Sequence, residues 1–96
     1  MKSADLQSDD KVVRFIEDEG GSYVELPRES QSERYRCSPY HLFQVLQGDG
    51  CRLENPEMCV ERKGDEVRIE VRGTPVVIPA KCYEHALSEA FGISPA

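Results

Sequence analysis

Positive charge is scarce in this chain. Its 12 Lys and Arg stand against 18 Asp and Glu for a formal charge of −6, with a pI near 4.9. No basic run exceeds the pair Arg62-Lys63. Neutralising the phosphates of DNA or RNA needs a basic face, so direct nucleic-acid binding is disfavoured. No stretch approaches the roughly 20 apolar residues that span a bilayer, and the opening MKSADLQSDDK lacks the apolar core of a signal peptide. The expectation is a cytoplasmic protein with no membrane contact, whose four cysteines stay reduced. The catalytic and phosphate-binding patterns GxSxG, HExxH, GxxxxGK[ST] and GxGxxG are missing too, and there is no internal repeat.

What is present is organised around Glu57 to Gly92, where the period of the apolar residues changes from two to 3.6 at Pro79. That pattern predicts three strands followed by a helix. Two-residue turns at Gly64-Asp65 and Gly73-Thr74 set Val60 against Ile69, Met58 against Val71, Val71 against Val76 and Ile69 against Ile78. The same register sets Lys63 against Glu66, Glu61 against Arg68 and Glu57 against Arg72, pairs worth about 0.2–1 kcal/mol each. Val67, Ile69 and Val71 should therefore be buried while Arg68, Glu70 and Arg72 face outward.

Before this unit, residues 1–10 are polar, with only Leu6 available to bury, and are expected to fray. Lys11 to Glu17 and Ser22 to Leu26 read as a hairpin around Asp18-Glu19-Gly20-Gly21, with Val13, Phe15, Val24 and Leu26 on one face. Val12 and Ile16 fall on the other face, which suggests a central strand or a covering partner. Pro27 ends the hairpin. The polar segment after it, holding Arg28, Arg34 and Arg36, reads as a solvated loop. A helix starts at Ser38-Pro39, with Ser as cap and Pro at its first position, and carries Leu42, Phe43, Val45 and Leu46 as its core stripe. Cys37 and Leu42 occupy the positions of a hydrophobic staple. The last helix, from Pro79 to Phe91, packs through Tyr83, Ala86, Leu87, Ala90 and Phe91, and Gly92 ends it. The expected fold is one α+β domain over residues 11–96, an antiparallel sheet with two helices in the order ββαβββα, in two layers.

Two constellations could carry chemistry. Cys37 with His41, and Cys82 with His85, are Cys/His pairs near helix starts that could supply four ligands to zinc. Against this, the wheel places His41 about 130° and His85 about 160° from the apolar stripe of its own helix, and CxxC spacing is absent. Cys82 beside His85 is also the only nucleophile–base neighbour pair, the basis for a thiol-dependent enzyme as an alternative. The expectation is no cofactor and no catalysis.

The remaining signal is charge distribution. Residues 1–26 carry a net −4, leaving −2 for the rest of the chain. Glu17, Asp18 and Glu19, with Glu25 nearby, gather around the first hairpin, and Lys11 and Arg14 are the nearby cations in sequence. Unpaired charge on a tight turn would steer binding to a basic partner surface. The chain reads as a protein-binding module of the inhibitor, adaptor or immunity type, for example a phage-encoded anti-CRISPR inhibitor. A zinc-stabilised module is the alternative, and a homodimer is compatible with either.

Overall fold

A computed structural model describes residues 2–8, 11–26, 33–48, 52–54, 58–71 and 73–92. The strands are β1 (Lys2–Ser8), β2 (Lys11–Asp18), β3 (Gly21–Leu26), β4 (Glu33–Arg36), β5 (Arg52–Glu54), β6 (Met58–Lys63), β7 (Glu66–Val71) and β8 (Thr74–Pro79). Helix α1 (Pro39–Gln44) runs into a 3₁₀ turn at Val45–Gln47, and α2 (Ala80–Phe91) follows β8 without a break. The class is α+β and all strand pairings are antiparallel. The strands form two four-stranded sheets, β1-β2-β3-β4 and β5-β6-β7-β8. No helix among the described residues is long and apolar enough to cross a membrane.

The second sheet follows the alternation of its sequence. Met58 faces Val71 and Val60 faces Ile69, and Val67, Ile69 and Val71 are buried while Arg68 is exposed. Lys63 lies opposite Glu66 and Glu61 opposite Arg68; Glu57 and Arg72 lie outside the described residues. One register needs correction. Val71 pairs with Thr74, so Ile69 meets Val76 and Val67 meets Ile78, two residues from the expected pairing. Gly73, at φ +81, is the last residue of the connection rather than the first, the other position where a tight hairpin requires positive φ. A slip of two preserves the faces, so the same side chains are buried. β8 is an edge strand, where Pro75 and Pro79 remove no interior ladder bond.

The first sheet departs further from expectation. The fraying expected of residues 1–10 does not hold for Lys2–Ser8, which pairs along its whole length with β2. Ala4 and Leu6 are both buried, a strand alternation too short to stand out in the sequence, and Asp5 lies opposite Arg14. The loop expected after Pro27 yields β4, in which Tyr35 turns inward and faces Val24. β2 is thereby central, as its two apolar faces suggest.

The inner faces of both sheets and α2 share one apolar cluster. α2 lies chiefly against β1 and β2 and also touches β7, β8 and α1. All five residues of its expected stripe are buried. Phe15 meets Tyr83 edge to face, with centroids 5.7 Å apart, and Phe91 at 5.7 Å. The Tyr83 hydroxyl donates to the Leu42 carbonyl, so a buried polar group is satisfied and α1 is tied to α2. Burial raises the Tyr83 pKa well above its ordinary value, with the neighbouring Cys37 adding to the shift.

Candidate protein-binding surface

The β2–β3 hairpin, the expected source of projecting charge, is closed by side chains from a strand that follows it. Asp18 Oδ1 accepts the Gly20 N–H at 2.7 Å, which commits one carboxylate oxygen to the turn. Gly21 sits at φ +136, and a Cβ there would lie 2.9 Å from the Arg36 guanidinium. That guanidinium donates to the Gly20 carbonyl at 2.9 Å, and the Cys37 N–H donates to the Ser22 carbonyl at 3.1 Å. β4 and the residue after it therefore lock the end of the hairpin.

Across the outer face of the same sheet, register alone puts Asp5, Arg14, Glu25 and Arg34 in one row, one from each strand. The signs alternate, and the side chains meet. Arg14 donates to both Asp5 oxygens, at 2.7 and 3.3 Å, and to Glu25 Oε1 at 3.3 Å. Arg34 donates to Glu25 Oε2 at 3.2 Å, lies 3.8 Å from Asp18 Oδ2, and stacks over the Tyr23 ring at 5.4 Å. Paired carboxylates, Asp5 foremost by its hydrogen bond, hold the Arg14 guanidinium above its ordinary pKa. Glu25 is the one buried charged residue among those described, at 5% exposure. An arginine on each side supplies the hydrogen bonds that a buried carboxylate requires. Ile16 is also buried on this outer face, at 2% exposure.

This geometry divides the expected site. Glu25 is withdrawn into the ladder and Asp18 is tied to the turn and to Arg34. Lys11 and Arg14 are the cations near the hairpin in sequence, and in space β4 adds Arg34 and Arg36. Glu17, half-buried, and Glu19, exposed, make no ion pair among the described residues. Immediately beyond, α1 begins. Its Tyr40 lies three residues after the Cys37 that is bonded to Ser22, and is 71% exposed.

Phe43 and Leu46, expected in the core, are only partly buried. With Pro79 and Ala80 they line a cleft of about 950 Å³ between α1, the β6–β7 hairpin and the start of α2, edged by Asp65, Lys81 and Glu84. Arg62 spans its side, donating to the carbonyls of Leu46 and Gly64.

The four residues weighed for zinc do not come together. Cys37 is buried, with burial pushing its thiol up to about 11, whereas Cys82 and both histidines are exposed. Among the described residues no three His, Cys, Asp or Glu side chains are placed to hold a metal ion.

Sequence reasoning misses Arg34 and Arg36 as structural partners. The available signal is the Arg34-Tyr35-Arg36 alternation inside a segment that otherwise reads as loop. Compared with protein-family models, curated proteins and solved structures, the chain matches none.

Proposed function

We propose that the chain is a non-catalytic protein-binding module that acts by occupying a partner's surface, as an inhibitor, adaptor or immunity-type protein does. The observation that carries this reading is the pairing pattern of the hairpin: Asp18 and Glu25 are neutralised from within, while Glu17 near the end of β2 and Glu19 in the turn make no ion pair among the described residues, on a hairpin end held by Arg34 and Arg36. Carboxylates carried on an ordered backbone recognise a basic surface at low entropic cost. Tyr40, at the start of the adjoining helix, adds an exposed aromatic of the kind enriched at binding hot spots. Free thiols at Cys37 and Cys82 support a reducing, cytoplasmic setting.

The test compares partner capture by the wild type and by a Glu17→Lys/Glu19→Lys double variant across a salt series. Asp18 is left intact because it closes the turn. A protein with a basic surface should be retained by the wild type at low salt, released as salt rises, and lost from the variant. Capture of the same proteins by both, with the same salt dependence, would remove the hairpin from the binding surface.

A further inference from the structure

The cleft of about 950 Å³ between α1, the β6–β7 hairpin and the start of α2 lies apart from the acidic hairpin, and hydrogen bonds tie its walls to one another. The Ala80 N–H donates to the Asp65 carbonyl at 2.7 Å, joining α2 to the β6–β7 turn. Arg62 of β6 donates to the Leu46 carbonyl, joining β6 to the 3₁₀ turn, and the Tyr83 hydroxyl of α2 donates to the Leu42 carbonyl of α1. A cleft braced in this way is formed before any ligand arrives, which lowers the entropic cost of filling it. Its apolar lining is Phe43, Leu46, Pro79 and Ala80. Phe43, Leu46 and Ala80 pack on the core yet remain only partly buried, so an apolar occupant would remove further surface from water.

Four charged side chains edge this floor. Arg62 spends donors on the carbonyls of Leu46 and Gly64. Lys81 is exposed and also borders a smaller cleft between α2 and β1. Asp65 and Glu84 make no ion pair among the described residues, and Glu84 is half-buried. The unengaged rim charge is therefore two carboxylates against one ammonium that the smaller cleft shares. We infer that this cleft anchors a segment of a partner protein in which large apolar side chains stand next to Lys or Arg. The apolar side chains cover Phe43, Leu46 and Ala80, and the neighbouring cations meet Asp65 and Glu84. An acidic segment would set its own carboxylates against those two and is rejected. The inference rests on the reading of the chain as a protein-binding module and gives that module a second contact region, apart from Glu17 and Glu19.

The experiment is an amide chemical-shift titration of the full chain with two short synthetic peptides, acetylated and amidated, one alternating Leu and Phe with Arg and the other carrying Glu in place of Arg. The basic peptide should shift Phe43, Leu46, Ala80 and Glu84 saturably, and the acidic one should bind roughly tenfold more weakly. An Asp65→Asn/Glu84→Gln double variant should lose most of that preference with its unfolding temperature unchanged, since the Asp65 carbonyl that Ala80 uses is untouched. Equal binding of the two peptides, or an undiminished preference in the double variant, overturns the assignment. Shifts confined to residues 17–21 would overturn it while leaving the acidic hairpin as a binding surface. Saturable shifts in the cleft with none at the hairpin would uphold it even if the hairpin reading fails. Shifts at the cleft residues that grow with protein concentration in the absence of peptide would give the cleft to a second copy of the chain and also overturn it.

Discussion

The two sheets handle charge in opposite ways. Among the described residues of β5–β8 two ion pairs run along single strands, Lys63 with Glu61 at 3.7 Å and Arg68 with Glu70 at 2.9 Å, and the outermost of these groups stand in solvent. On β1–β4 the pairs run across strands, and the chain of contacts from Asp5 to Arg34 passes through a buried carboxylate. Exposed pairs contribute little, about 0–1 kcal/mol, so the second sheet depends on its apolar face. In the first sheet the ladder joins both edge strands to the hairpin, and removing either arginine leaves the buried Glu25 carboxylate with one partner fewer. Where a partner must be met by fixed charges, a strand set held by cross-strand pairs is the stiffer mount.

The largest expected effect that separates the two sheets comes from neutralising one carboxylate in each. Glu25→Gln should lower stability by about 1–3 kcal/mol, because the buried amide keeps one acceptor oxygen and turns N–H donors toward a guanidinium that Glu25 bonds, while Glu70→Gln stays within about 0.5 kcal/mol. Chemical denaturation of both variants makes the comparison. Equal losses would mean the buried ladder is no more than surface decoration.

A smaller difference is expected at the turns. Both Gly21 and Gly73 hold positive φ, so alanine costs about 1 kcal/mol or more at either on backbone grounds. Only at Gly21 does an alanine methyl also meet a guanidinium, at 2.9 Å, whereas nothing lies within 4 Å of the equivalent point at Gly73. Gly21→Ala should therefore destabilise more than Gly73→Ala. The reverse ranking by thermal unfolding would separate the turn from the Arg36 lock.

The contrast also explains what can be read from the sequence. In β6–β8 strict alternation, short turns and matched charges all point to one register, so the buried set Val67, Ile69 and Val71 is legible; only the placement of Gly73 in its turn goes astray, by an even step. α2 is legible for the same reason, its stripe being periodic from Tyr83 to Phe91. β1 and β4 are not. Each offers few apolar residues, and what secures them is pairing to β2 and β3 between residues apart in sequence, such as Asp5 with Arg14 and Glu25 with Arg34. Local pattern carries no trace of such pairs. The acidic residues of the candidate site are visible, but which of them are free depends on those same arginines.

The smallest effect is confined to alkaline pH. Cys37, where α1 leaves the first sheet, has its thiol pushed from 9.0 to about 11 by burial. A pKa raised on folding means that the native state holds the proton more tightly, so this contribution is fully present below pH 9 and is lost as pH rises toward about 11. Tyr83 shifts in the same direction. Stability of the wild type should fall over that window, and Cys37→Ala should show a shallower slope with an unchanged plateau below it. Identical slopes would assign the loss to other groups.

A cross-strand ladder centred on the buried Glu25 holds β1–β4, and surface charge contributes little to β5–β8. Two double-mutant cycles measured by denaturation test it, one on Arg34 and Glu25 and one on Arg68 and Glu70, each residue replaced by Gln. The expected coupling is at least about 1 kcal/mol for the first pair and within about 0.5 kcal/mol for the second. Couplings of equal size, or a larger one at Arg68 and Glu70, would contradict the account.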